Sequence, residues 1–136
     1  MIKLSNHFTL YELARVDKYG SSNYPGSQEL VNLTYGVTMI LEPLRLYIGK
    51  PIIINSGYRN KRINALIGGV SNSQHLTGCA ADIRLSIQDD KLFSHTIEFL
   101  RTRPYVDQLL TAKNWCHVSW TPFGTPRNQV IENYYK

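Results

Sequence analysis

The chain predicts an α+β fold, a small antiparallel sheet packed against helices, and three patterns carry that prediction. Apolar residues recur at helical spacing across 28–48, and a second helical pattern runs over 89–101. Short stretches at 52–55, 79–86, 106–110 and 115–120 have the β-branched composition or the two-residue alternation of strands. With 136 residues, 43% of them hydrophobic, there is material for one core, so a single domain over 1–136 is expected.

The elements follow in order. Thr9 with Glu12 three residues later has the form of a capping box, which opens a short helix whose Phe8, Leu10 and Leu13 face the core. His7 precedes that cap as a surface or capping histidine. Residues 19–27 are rich in Gly, Ser, Asn and Pro and read as a loop. The stretch 28–48 carries Leu30, Val31, Leu33, Val37, Ile40, Leu41, Leu44 and Ile48 on one stripe and is the main core helix, kinked or interrupted at Pro43 and stopped at Gly49. The run Ile52, Ile53, Ile54 then forms a buried strand, with Arg59 at its end, and a short helix spans 61–67 before the Gly68-Gly69 turn.

In the strand over 79–86, alternation sets Asp82 and Arg84 on one face and Ala81, Ile83 and Leu85 on the other, with His75 in the loop before it and Gly78 at the bend between. Asp89 and Asp90 suit the positive N-terminal end of the helix over 89–101, on which His95 is a partly exposed side chain. Pro104 ends that helix. The last two strands form a hairpin through 111–114; Trp115, His117 and Ser119 share one face, and Cys116, Val118 and Trp120 the other, so His117 is able to face Asp82. The polar tail from 122 is expected to cover a sheet edge.

Lys+Arg 15 against Asp+Glu 10 gives a net charge of +5, which suits a polyanionic partner such as nucleic acid, anionic lipid or cell wall. The aromatic residues are scattered rather than interleaved with a basic stripe, which argues against nucleic acid. No apolar run is long enough to span a bilayer, and Met-Ile-Lys leads into polar sequence without the apolar core of a signal peptide. The expectation is a protein made in the cytoplasm that reaches its target after release or export by another factor. Cys79 and Cys116 are too few for a disulfide framework and read as buried thiols rather than metal ligands.

His75, Asp82 and His117 supply two imidazoles and one carboxylate, the donor types that leave a fourth position open on a catalytic zinc. Zinc so held keeps net positive charge and would polarise a carbonyl and acidify a water. Arg59, always charged and planar, suits a carboxylate or a developing oxyanion.

Residues 73–82 have the form Ser-x-His-x-x-Gly-x-Ala-x-Asp, and His117 opens His-Val-Ser. Together with His-Phe-Thr-Leu-Tyr-Glu-Leu at 7–13, Leu-Glu-Pro-Leu-Arg at 41–45, Ser-Gly-Tyr-Arg-Asn at 56–60 and Asp-Gln-Leu-Leu at 107–110, this resembles the zinc D-alanyl-D-alanine carboxypeptidases and related peptidoglycan endopeptidases. The likeness is greatest to the small phage-associated members, and the hedgehog signalling domain is a distant structural relative of that family. The resemblance implies one Zn2+ per chain held by His75, Asp82 and His117, with peptidoglycan stem peptides as substrate; a monomer is expected. It further implies that Arg59 orients substrate or stabilises charge on the scissile carbonyl, and that Ser73 and Tyr58 join Arg59 in the peptide site.

One departure stands out. Family enzymes usually carry a glutamate several residues before the last zinc histidine, and no carboxylate occurs between Asp107 and His117. Thr111 or a near neighbour takes that place, and Trp115 stands where some relatives have a second histidine. Either another carboxylate serves as base, with Asp107 nearest by sequence and Glu12 or Glu42 reachable through folding, or the zinc site serves binding in a catalytically weak wall-binding module.

Overall fold

The computed structural model describes residues 2–15 and 22–135. Of the loop expected over 19–27, positions 19–21 therefore lie outside the described residues. Helix α1 (Leu10–Ala14) opens with the expected capping box, in which Thr9 accepts from the Glu12 amide and the Glu12 side chain accepts from the Thr9 amide at 3.0 Å. Phe8 and Leu13 sink fully into the core behind it.

The long helical stretch runs unbroken from 27 to 48 but in three parts: α2 (Ser27–Gly36), a π-helical turn (Val37–Leu41) and α3 (Glu42–Ile48). The expected disturbance at Pro43 takes this form because Pro43 has no amide hydrogen for the carbonyl of Met39, four residues earlier. Arg103 supplies the missing donor, with Nε 3.0 Å from the Met39 oxygen. A left-handed Gly49 closes α3.

Strand β1 (Ile52–Ser56), helix α4 (Lys61–Leu66), strand β2 (Ala80–Leu85), helix α5 (Asp90–Arg101) and strands β3 (Val106–Thr111) and β4 (Cys116–Trp120) follow. The sheet is ordered β1-β2-β4-β3-β5, where β5 is the short segment Gln129–Ile131. The first four strands pair antiparallel. The expectation of an antiparallel sheet needs one correction: β5 runs parallel to β3, because the chain crosses back through 121–128 before it pairs. The tail thus covers the β3 edge, as expected of it.

The sheet has a core face, and on its other face β2, β3 and β4 line the site. Ile52, Ile54, Ala81, Ile83, Leu109, Cys116, Val118 and Trp120 meet Leu33, Val37, Ile40, Leu41, Leu44 and Leu100 from the helices in one apolar cluster. Each fully buried side chain of that size contributes roughly 1.5–3 kcal/mol. Trp120 is the largest, and its indole nitrogen donates to the Asn32 carbonyl at 2.8 Å, so the burial leaves no polar atom of that ring unmet. The other face carries Asp82, His117 and Gln108.

Candidate metal centre

His75 is placed by local turn chemistry. Ser73 caps a 3₁₀ turn (Gln74–Thr77), its hydroxyl accepting from the His75 amide at 3.2 Å. Gly78 ends the turn in the left-handed region (φ 75°), and a Cβ there would lie 2.6 Å from the Glu29 carbonyl oxygen, so only glycine lets the chain bend into β2 at this point. Asp82 on β2 and His117 on β4 are direct cross-strand partners, which brings their side chains together on the site face.

The three donors converge. His117 Nδ1 is 2.9 Å, and His75 Nε2 3.3 Å, from Asp82 Oδ1. One donor atom from each residue lies within 4.8 Å of the other two, and among the described residues no other group of three or more His, Cys, Asp or Glu forms such a cluster. Tetrahedral zinc with bonds of about 2.0–2.1 Å separates its ligand atoms by about 3.3 Å, so the spacing fits that ion.

The second ring nitrogen of His75 sets its tautomer. Nδ1 lies 2.6 Å from the Gly57 carbonyl, which only accepts, so Nδ1 carries the hydrogen and Nε2 keeps its lone pair for a metal. Both histidines are buried. Burial alone would raise the Asp82 carboxyl, but its close contacts with the His117 and His75 imidazoles outweigh it and hold Asp82 far below the ordinary carboxylate range.

The cysteines are not ligands. Both are free and buried, Cys116 on the core face of β4, and burial pushes both thiols upward, away from the thiolate a metal requires. His7 is bound to Glu42 at 2.7 Å and His95 is exposed on α5, as expected of each.

Arg59 follows β1 and is fixed to the metal turn at two points: its amide donates to the His75 carbonyl at 3.1 Å and its Nη2 to Ser73 Oγ at 3.3 Å. Arg59, Ser73 and the three candidate ligands line one groove of about 540 Å³. Tyr58 is not among those lining residues. It is buried, its amide donates to the Leu13 carbonyl and its own carbonyl accepts from Asn23, and it lines a neighbouring cleft with Glu29 and Asn60 that shares Ser73 with the groove.

Asp107, the carboxylate nearest His117 by sequence, is engaged with other side chains. It is buried where β3 is irregular, and its oxygens accept from the Arg127 amide at 2.8 Å, from Arg127 Nη2 at 2.8 Å and from Gln74 at 3.2 Å. Burial favours the neutral acid, but these bonds and the Arg127 charge hold the carboxyl below its usual range. A carboxylate so committed is a poor proton acceptor. The other two carboxylates considered are engaged as well, Glu12 in the capping box and Glu42 with Ser5 and His7.

Against known proteins, the model of the family described as Peptidase M15 matches residues 6–119. The chain belongs to that peptidase family. It is also 46% identical over 44 residues to the zinc D-Ala-D-Ala carboxypeptidase of Streptomyces albus G, a match over 32% of this chain and 17% of the relative. The chain therefore spans about a sixth of the length of the curated relative that it matches.

Several residues at or behind the groove of this peptidase-family chain escaped the sequence. Gly57, which supports His75 from behind, acts through a backbone carbonyl, and Gln74 and Arg127 act through Asp107, a contact between segments with no local signature. Tyr134 and Tyr135 also line the groove, and both fall after the family match. Tyr135 stacks on Trp115 with ring centroids 4.4 Å apart and is met edge-on by Tyr134 at 4.9 Å. Its phenol is raised first by burial and then by the Asp82 and Tyr134 charges, with Arg59 pulling the other way, so it sits within electrostatic reach of both sides of the site.

Proposed function

We propose that this protein is a zinc peptidase that hydrolyses peptidoglycan stem peptides, as a D-Ala-D-Ala carboxypeptidase or an L-Ala-D-Glu endopeptidase, in a phage-lysin or wall-remodelling role. It holds one Zn2+ per chain and acts as a monomer. The observation that carries this reading is the convergence of His75 Nε2, Asp82 Oδ1 and His117 Nδ1 at one end of a groove that also contains Arg59. When bound, zinc supplies a Lewis acid and lowers the pKa of its water toward ~7.

The chain's own residues do the rest. The Gly57 carbonyl holds His75 in the tautomer that presents Nε2. Ser73 steadies both the His75 amide and the Arg59 guanidinium, so the ligand turn and the substrate cation share one support. Arg59 offers a planar, permanent positive fork to a terminal carboxylate or to charge growing on the scissile carbonyl oxygen. Stem peptides are rich in carboxylates within an anionic wall, and a net charge of +5 favours approach to it. The likeness to a zinc D-Ala-D-Ala carboxypeptidase supports the carboxypeptidase alternative.

A second reading, a zinc-retaining wall-binding module of low activity, is favoured by one observation. Among the described residues, Asp82 is the only acidic side chain lining the groove, and it is a candidate ligand. General-base catalysis contributes ~10²- to 10⁴-fold, so its loss slows turnover by that order.

Two measurements decide. Protein purified without added zinc should contain about one zinc per chain, lost in His75→Ala; a folded, metal-free wild type would sink both readings. Mass spectrometry of purified peptidoglycan after digestion should show released D-Ala or fragments cut between L-Ala and D-Glu. Zinc-loaded protein that binds peptidoglycan yet releases nothing after long incubation selects the second reading.

A further inference from the structure

We infer that Tyr135 is a further catalytic residue of this groove, donating a hydrogen bond from its hydroxyl to the scissile carbonyl oxygen as negative charge develops there. The inference rests on the zinc-peptidase reading above. On β3, Asp107 and Thr111 hold the segment 127–135 against the site.

Arg127 is tied to Asp107 through its backbone amide and its guanidinium. The Asn133 amide donates to Thr111 Oγ1 at 2.9 Å and the Tyr135 amide to the Thr111 carbonyl at 3.3 Å. The Tyr135 ring then lies on Trp115, which immediately precedes β4 and lines the same groove as His117. Three anchors and an aromatic stack thus fix one half-buried phenol in the groove that also holds Arg59 and the candidate metal ligands.

A phenol is a hydrogen-bond donor at neutral pH, its ordinary pKa being ~10, so it is suited to an oxyanion and unsuited to act as a base. No proton changes hands at Tyr135: water adds across the peptide bond, the C–N bond breaks, and the hydroxyl only strengthens a hydrogen bond that is weaker in the ground state. A ring held on Trp115 has little rotamer freedom left to lose, so the donor is preorganised. With Arg59 it gives the carbonyl oxygen two donors from different segments, and Tyr135 lies beyond the family match at 6–119.

The test compares zinc-loaded wild type with Tyr135→Phe, which keeps the stack on Trp115 and removes only the hydroxyl. Zinc content and melting temperature are expected to be unchanged. Loss of one oxyanion donor should lower kcat by about 10²- to 10³-fold with KM nearly constant. Affinity for a phosphinate analogue of D-alanyl-D-alanine, measured by calorimetry, should fall by at least tenfold, because that probe resembles the charged transition state. Thr111→Val, which removes one anchor and leaves the hydroxyl, should give a smaller loss in both.

Equal kcat and equal phosphinate affinity in Tyr135→Phe would overturn the inference while leaving the peptidase reading intact. A wild type that cuts no peptide but whose phosphinate binding still depends on the Tyr135 hydroxyl would overturn the peptidase reading alone. A zinc-loaded wild type that neither cuts peptide nor binds the phosphinate overturns both.

Discussion

At the scale of single residues, the candidate metal centre depends on a backbone carbonyl. Gly57 approaches α1 so closely that a Cβ would overlap the Leu13 carbonyl, and its own carbonyl is the acceptor that orients His75. Gly57→Ala must push β1 and α1 apart or rotate that carbonyl away from Nδ1. It is expected to cost about 1–3 kcal/mol of stability, the usual range for forced overpacking. Zinc affinity should fall by about 10- to 100-fold, as when a ligand histidine loses its outer partner. Chelator competition for zinc, alongside thermal melts, checks both, and a variant of full zinc affinity would show that the carbonyl does not set the tautomer. His75, Asp82, His117 and Arg59 were legible as a group because residue type, strand alternation and a multi-part resemblance coincide on them. Gly57 was not, since nothing in a glycine's identity tells which side chain its carbonyl will meet. The contacts of Asp107 and Tyr58 were not legible for a related reason: distance along the chain, or place in a motif, does not reveal that Arg127 will engage the Asp107 carboxylate or that the Tyr58 amide will meet the Leu13 carbonyl.

At the scale of elements, the long helix shows how one local conflict is resolved by a distant segment. Its apolar stripe demands continuity from 27 to 48, while Pro43 withholds a donor; the π turn keeps the stripe in register and Arg103 fills the missing bond. Arg103 reaches Met39 from beyond α5 and packs its guanidinium over Phe99 and Tyr105 at 5.5 and 5.4 Å. Arg103→Met retains much of the packing stem but leaves the Met39 carbonyl without that donor. A loss of about 1–3 kcal/mol in urea unfolding is expected, with zinc content unaltered. An unchanged unfolding midpoint would mean that water or helix adjustment serves the carbonyl as well. The helix and its disturbance at Pro43 were visible in the sequence; the compensating arginine, sixty residues on, had no local pattern to announce it.

At the scale of the whole molecule, the fold places a mixed sheet between an apolar helical layer and a polar groove, and the last segment is tied to β3 beside that groove. The four antiparallel strands followed from alternation and turn spacing, whereas the parallel pairing of β5 depends on a crossover that a three-residue strand cannot encode. That crossover is held by the Arg127 to Asp107 pair, and it gives the molecule a defined acid response. Asp107 has its folded-state pKa held below the unfolded value of ~3.9, so between the two the unfolded chain binds more protons than the folded one. The stabilisation from this carboxylate is therefore complete above the unfolded pKa and is lost as pH falls through the folded value. Asp107→Asn removes the titration and weakens the tie to Arg127, so the variant should be less stable than wild type at pH 7. The gap should close as pH drops below about 4, where wild type loses the same interaction. Paired urea unfolding curves from pH 3 to 7, with and without the substitution, measure the gap directly, since all other carboxylates and the candidate ligands are common to both proteins. A gap that stays constant over that range would show that Asp107 contributes by shape alone and that its charge does not hold the crossover in place.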